Sequence, residues 1–303
     1  MNKAWSPEHV VSKAQAVQLI QEQFPCLSVS NIKPCGEGFD NTVFKVNDAY
    51  VFRFPRRELG AQILAVENRF LPLLVSKLSI TIPEPLFFGK PSTDYPWIFT
   101  GYRFVPGELP RNVSLGQRIS SASILAKFLQ TLHELPISIA QKYRVPFDRY
   151  GRLNIPKRKQ QLQQYLQQLK SVSFPLRYHQ IENIMNTVPT NPPMAPLTVV
   201  HGDLHCKNIL VDSSGTICGI IDWGDVHIGH PAVDLSIVYS FLPPEGRKQF
   251  FAIYGNVPEE TQRVAQFIAI YVAVVLLSYG YDYQDEAVMK IAKDSISLAL
   301  MTQ

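Results

Sequence analysis

Apolar residues recur every three or four positions between residues 8 and 24. Val10, Val11, Ala14, Val17, Leu19 and Ile20 form one stripe, which predicts an amphipathic helix closed by Pro25. Val29 to Lys33 reads as a strand. After a turn signal at Asn47-Asp48, Tyr50 to Arg56 alternates, with Val51, Arg53 and Pro55 on one face and Phe52 and Phe54 on the other. Leu64 to Leu78 has helical spacing, and Ile82 to Pro85 opens a further strand. Trp97 to Val105 is a long apolar strand stopped by Pro106-Gly107-Glu108.

From Ser114 the period lengthens. Ile119 to Leu135 predicts a long helix, Arg158 to Leu169 a polar, Gln-rich one, either solvated or a substrate lid, and residues 189 to 196 a proline-rich linker. Short strands return at Val199-Val200, Ile209 to Val211 and Thr216 to Ile221, the last two joined by the turn Asp212-Ser213-Ser214-Gly215. Asp225 to Pro231 reads as an irregular loop. Helices are then expected over Val233 to Phe241, Gln262 to Tyr279 and Glu286 to Leu300, and no internal repeat is present.

Composition narrows the class. With 303 residues, 46% hydrophobic and 18% charged, the chain suits a globular protein of two lobes or one large domain. No charged, apolar and small-residue leader opens it. The apolar run Phe267 to Leu277 is too short to span a bilayer, so a buried helix and no membrane partner are expected. Cys26, Cys35, Cys206 and Cys218 lack zinc spacing and read as reduced thiols of a cytoplasmic protein. The net charge of +4 is uneven: 23 Lys and Arg face 13 acids up to residue 200, and 6 face 12 beyond it. An acidic last part, with Glu259, Glu260, Asp282, Asp285 and Glu286 near helix ends, could favour a cationic substrate, or these acids are charged helix caps and scattered solvated charge. Lys157-Arg158-Lys159 with Arg152 lacks any aromatic platform, so it reads as a solvated helix face and no nucleic acid is expected.

The chemistry concentrates in His201-Gly202-Asp203-Leu204-His205-Cys206-Lys207-Asn208 and in Ile220-Ile221-Asp222-Trp223-Gly224-Asp225. A hairpin between these stretches brings two acids and an amide to one end of a small sheet. A carboxylate and an amide oxygen are hard ligands of the kind Mg²⁺ takes alongside water and phosphate oxygens. A second carboxylate can orient a hydroxyl and accept its proton. Asp203 is therefore the candidate base, and Asn208 and Asp222 are the candidate metal ligands. Near the start of the chain, Gly36 and Gly38 lie between strands, where glycine allows close backbone approach to a phosphate.

These motifs, with Pro231 and Asp234-Leu235, resemble the aminoglycoside phosphotransferases and their macrolide, choline and homoserine kinase relatives. The resemblance implies an α+β, protein-kinase-like bilobal fold. An N-terminal nucleotide-binding lobe, a five-stranded antiparallel sheet with a helix, would span 1–105, and a mainly helical catalytic and substrate-binding lobe 106–303. It implies transfer of the γ-phosphate of ATP or GTP, with Mg²⁺, to a hydroxyl of a small molecule. An aminoglycoside-type antibiotic is the first expectation, with a macrolide or other metabolite, or a non-catalytic pseudokinase, as alternatives. A monomer is expected. Arg53 stands where the family usually has a phosphate-pairing Lys and where some branches, macrolide kinases among them, carry Arg, with Glu67 as its helix partner. Backbone groups of Arg103, Phe104 and Val105 would meet the nucleotide base. His230 stands where many relatives have Asp, and Asp234 is expected to hydrogen-bond catalytic-loop backbone.

Overall fold

The computed structural model describes residues 7–37 and 40–302. It divides into two compact units, one of Met1–Lys77 with Thr81–Val105, the other of Leu78–Ile80 with Pro106–Gln303.

The first unit begins with α1 (Lys13–Gln23), shorter than the apolar stripe predicts. The Ser12 side chain accepts the Gln15 amide and starts the helix after the two valines. Five strands follow in two groups, β1 (Ile32–Glu37), β2 (Asn41–Val46) and β3 (Tyr50–Pro55), then β4 (Pro85–Gly89) and β5 (Phe99–Arg103). They form one antiparallel sheet of order β1-β2-β3-β5-β4. The β2–β3 hairpin turns over Asn47, Asp48 and Ala49, the first two with positive φ, as tight turns between twisted strands favour. The alternation in β3 sorts its side chains by face. Phe52 and Phe54 are fully buried in a cluster with Phe99, Tyr95 and the Leu19–Ile20 face of α1. Arg53 points the other way, towards α2 (Glu58–Val75), which carries Glu67. That helix starts six residues before its predicted Leu64, immediately after the strand's last turn.

The second unit is mainly helical: α3 (Leu115–Ser120), α4 (Ala122–His133), α5 (Ile137–Lys142), α6 (Ile155–Ser171) and α7 (Tyr178–Thr187) precede its short strands. The single helix predicted over Ile119 to Leu135 is two. The Ser121 hydroxyl takes the Gln117 carbonyl and accepts the Ile217 amide, which breaks the run at that residue. Strands β6 (Thr198–Val200), β7 (Ile209–Val211), β8 (Ile217–Ile220) and β9 (His227–Gly229) form two pairs, β6 with β9 and β7 with β8. The stretch expected to be an irregular loop thus contains a strand, its Ile228 opposite Val199.

Four helices complete the unit, α8 (Ala232–Phe241), α9 (Pro244–Tyr254), α10 (Glu259–Asp282) and α11 (Glu286–Ala299). All ten residues of α8 are buried. At 24 residues α10 is far longer than its apolar run, and by length and composition alone it could cross a membrane. It packs here against α8, α11 and α6, with Phe267, Ile270, Val274 and Leu277 fully covered. The Gln-rich α6 has its own stripe, Ile155, Leu162, Leu166 and Leu169, turned to that core.

Candidate active site

In the second unit the residues between β6 and β7 form a loop held from beneath by α8. Asp234, wholly buried, accepts the amides of His201 (2.7 Å) and Gly202 (2.9 Å). Its other neighbour is His133, which stands 3.3 Å from the same carboxylate and 2.7 Å from the Tyr254 hydroxyl. Burial pushes the Asp234 carboxyl upward, but His133, His201 and the loop amide outweigh it and hold it below the usual carboxylate range. Gly202 adopts φ +87°, and a Cβ there would lie 2.2 Å from the Asp225 carbonyl, so only glycine fits this turn.

The turn delivers Asp203. Its carboxylate lies 3.3 Å from His205 Nε2 and 3.2 Å from Asn208 Nδ2, and that same amide group donates to the Asp203 carbonyl at 2.8 Å. Burial raises the Asp203 carboxyl, yet His205, His201 and Arg152 together bring it below its ordinary value. His205 responds in reverse: burial lowers it, Asp203 raises it, and the balance is upward. His201 bridges the two loops. It receives the Asp203 amide on Nδ1 and meets the Ile221 carbonyl through Nε2 at 3.1 Å, the ring packed on Trp223.

Across the β7–β8 hairpin, Ile209 faces Ile220, and the Ile221 amide donates to the Asn208 carbonyl at 2.9 Å. Asp222 therefore stands one residue beyond Asn208's cross-strand neighbour, exposed and in the left-handed region (φ 65°). Because Asn208 commits its amino group to Asp203, its Oδ1 is the atom left for a cation. Among the described residues no three His, Cys, Asp or Glu side chains are grouped to hold a metal. Two oxygen donors fit Mg²⁺, which takes its other ligands from phosphate and water.

Arg152 fastens the loop from the opposite side. It donates to the Gly202 carbonyl (2.9 Å), pairs with Asp148 at 3.2 Å and with Asp225, and is largely buried. Arg158 follows on α6, its Nε on the Arg152 carbonyl and its Nη1 on Gln161 and the Tyr271 hydroxyl. The basic cluster that reads in sequence as a solvated face thus turns two of its arginines inward. They line a pocket of about 300 Å³, together with Asp203, His205, Asp225 and Tyr271. Their local partners Asp148 and Gln161 do not mark them in sequence; the contacts that turn them inward, with Gly202, Asp225 and Tyr271, lie 50 to 113 positions away.

In the first unit, Arg53 Nη1 lies 3.1 Å from both oxygens of Glu67, which is 1% exposed and also accepts the Tyr102 hydroxyl at 2.9 Å. Burial and the Glu67 charge drive the Tyr102 phenol well upward, so it stays a donor. Gly36 lies in β1 at an irregular register with β2; Gly38 lies outside the described residues. Of the three residues expected to meet the base, Arg103 and Phe104 already donate their amides, to Glu84 (2.9 Å) and Ala49 (2.8 Å). The Val105 amide, without a partner among the described residues, is the one left for a base.

Residues 31–267 match the family model described as the phosphotransferase enzyme family. The chain belongs to that family. Among solved structures it is similar to the GDP and kanamycin complex of APH(2")-IIIa, with 27% identity, 95% of this chain and 97% of that one covered, and a TM-score of 0.66. The GDP complex of wild-type aminoglycoside 2'-phosphotransferase-IIIa is 26% identical over 94% and 99%, with a TM-score of 0.67. Macrolide 2'-phosphotransferase MphH from Brachybacterium faecium, 17% identical over 93% and 97% with a TM-score of 0.58, shares the fold. The uncharacterized protein YcbJ of Bacillus subtilis (strain 168) is 22% identical over 103 residues, 34% of this chain and 33% of that protein. The match thus spans about a third of the length of this curated relative. This phosphotransferase is an α+β protein of the kinase-like kind, its first unit containing the five-stranded sheet and its second mainly helical, with Asp203 on the loop between β6 and β7.

Proposed function

We propose that this phosphotransferase moves the γ-phosphate of a nucleoside triphosphate to a hydroxyl of a small molecule. The observation that carries the reading is Asp203: a carboxylate kept ionised by His205, His201 and Arg152, at the wall of an open pocket, on a loop fixed by Asp234. The acceptor hydroxyl would hydrogen-bond this carboxylate. Its oxygen forms a bond to the γ-phosphorus as the bridging oxygen to the β-phosphate leaves with the nucleoside diphosphate, and its proton passes to Asp203. Asn208 and Asp222 would hold Mg²⁺, which when bound neutralises charge on the phosphates. Arg53, braced by Glu67, would grip phosphate oxygens with a planar fork.

The donor is a purine nucleotide, and the GDP complexes of the two relatives above favour GTP over ATP. The kanamycin in one of them supports an aminoglycoside-type acceptor. Against that stands the pocket itself, whose two acids, Asp203 and Asp225, already face His205 and Arg152. We read the protein as a monomeric, cytoplasmic enzyme of two lobes, residues 1–105 and 106–303.

Single-turnover transfer from labelled GTP or ATP tests the reading. We expect Asp203→Asn to retain nucleotide affinity and lose about two orders of magnitude or more in turnover, the scale of general-base catalysis. Equal turnover in the variant would remove Asp203 from the reaction.

A further inference from the structure

The pocket beside Asp203 is unevenly charged. Asp203 is compensated by His205, and Asp225 by Arg152. Arg158 has no carboxylate partner among the described residues. Its guanidinium lies 5.2 Å from the Tyr271 ring centroid and is held by three oxygens, the Arg152 carbonyl (3.2 Å), Gln161 Oε1 (3.0 Å) and the Tyr271 hydroxyl (3.2 Å). Those bonds employ Nε and Nη1 and leave Nη2 without a partner among the described residues. Tyr271 is itself fixed by Gln161 at 3.0 Å, so the arginine is oriented before anything binds. Leu204, Val233, Ile268 and Val272 give the pocket an apolar stretch of wall, beside Tyr150, Gly202 and Ser236.

We infer that the acceptor is an apolar-bodied hydroxy compound bearing an anionic oxygen group, a carboxylate or a phosphate, and that Arg158 selects it. An oriented, half-buried guanidinium lacking a counter-ion gains most from a charged acceptor oxygen, and it repels an ammonium. A polycation would have to lie against this arginine with no uncompensated carboxylate among the lining residues to receive it. The apolar wall suits the carbon frame between the hydroxyl, which meets Asp203, and the anion, which meets Nη2. This inference rests on the phosphotransferase reading above and adds the acceptor's class to it.

The test uses matched acceptors that differ only in the sign of one end. Butyrate and hexanoate with terminal hydroxyls are compared with aminobutanol and aminohexanol of the same length, with the hydroxyalkyl phosphates in which phosphate replaces the carboxylate and the hydroxyl stays free, and with kanamycin. Transfer of labelled γ-phosphate by the full chain is followed. We expect the anionic acceptors to exceed the amino alcohols and kanamycin by at least about tenfold in kcat/KM, the size of a charged hydrogen bond. The hydroxyalkyl phosphates separate a phosphate ligand from a carboxylate. Arg158→Gln should raise KM for the favoured acceptor about tenfold with kcat little changed, the pattern of lost uniform binding, and Arg158→Lys should recover part of it. Equal or better transfer to the amines or kanamycin overturns the inference. So does a preference that Arg158→Gln leaves intact, or nucleotide turnover that depends on Asp203 while no anionic acceptor is used. If nucleotide turnover is the same in wild type and Asp203→Asn and no acceptor is used, the phosphotransferase reading itself has failed.

Discussion

Arg53 and Glu67 show how two residues become one functional group. Sequence alternation fixes the face on which Arg53 lies and helical spacing puts Glu67 on a helix, but pairing the two comes from the family resemblance and not from periodicity. Tyr102 is legible from neither. Its hydroxyl reaches Glu67 from a strand 35 residues on, and strand neighbours are set by topology rather than by pattern. Because Tyr102 braces the acid, removing Glu67 does more than loosen Arg53. It leaves a buried phenol without its acceptor, at a cost of about 1–3 kcal/mol in stability. We expect Arg53→Lys to keep measurable activity with weaker nucleotide binding and Arg53→Ala to lose far more. The double variant Arg53→Ala, Glu67→Ala should bind nucleotide little worse than Arg53→Ala alone, since the two act as a unit. Strictly additive losses in nucleotide affinity would show that Glu67 does not serve the arginine. Arg158 and Arg152 mark the limit of residue-level reading: beside Lys157 and Lys159 they look like surface charge, and only their contacts with Gly202, Asp225 and Tyr271 distinguish them.

At the level of elements, the catalytic loop depends on α8, and α8 depends on how it begins. His230 Nδ1 accepts the Ala232 amide at 3.1 Å while Nε2 faces the Pro193 carbonyl at 3.0 Å, an arrangement that requires the neutral ring. Burial pushes the His230 pKa below its ordinary value, though the Pro193 carbonyl opposes that shift, and burial does the same to His227. The sign follows from linkage. In the unfolded chain each imidazole takes its proton near pH 6.5, whereas in the folded protein it does so only at lower pH. Their contribution is therefore complete above that range and declines as pH falls through it towards the lowered folded value. We expect the thermal midpoint to drop between pH 7 and pH 5. His230→Asn keeps an acceptor for Ala232 without a titrating group, so its decline should be shallower. An identical slope in wild type and variant would show that His230 contributes nothing to it. The helix itself was readable from Pro231 and the apolar run after it. The strand just before it was not, because three residues carry too little alternation to distinguish a strand from a loop.

Over longer distances, charge tallies mislead where geometry decides. The acids expected to gather around a cation sit at both ends of α10, roughly 36 Å apart for 24 residues. Asp285 caps α11 through the Val288 amide, and Glu259 pairs with Arg263 at the surface. A charge count registers their number and not their separation. The strand–loop–strand pattern around Asp203, in contrast, was legible because turn residues and β-branched runs are local, and the hairpin follows from them.

Ligand linkage offers a test that reads the whole chain. A nucleotide that binds only the folded protein stabilises it by about 2.7 kcal/mol at a hundred times its Kd. For a chain of this size that corresponds to a midpoint rise of roughly 4 °C. If Asn208 and Asp222 hold Mg²⁺ against the phosphates, the rise should need the metal. We expect a large shift with GTP and Mg²⁺, a smaller one with ATP and Mg²⁺, and little with either nucleotide in chelator. Asp222→Ala should show the small shift under all these conditions, because one of the two protein oxygens is gone. Asp203→Asn should behave like wild type, since its carboxylate is assigned to the acceptor and not to the metal. The two variants thus separate metal binding from proton transfer on one instrument, without an acceptor in the cell. A metal-dependent shift that survives Asp222→Ala undiminished would show that the hairpin's second acid is not the cation's ligand.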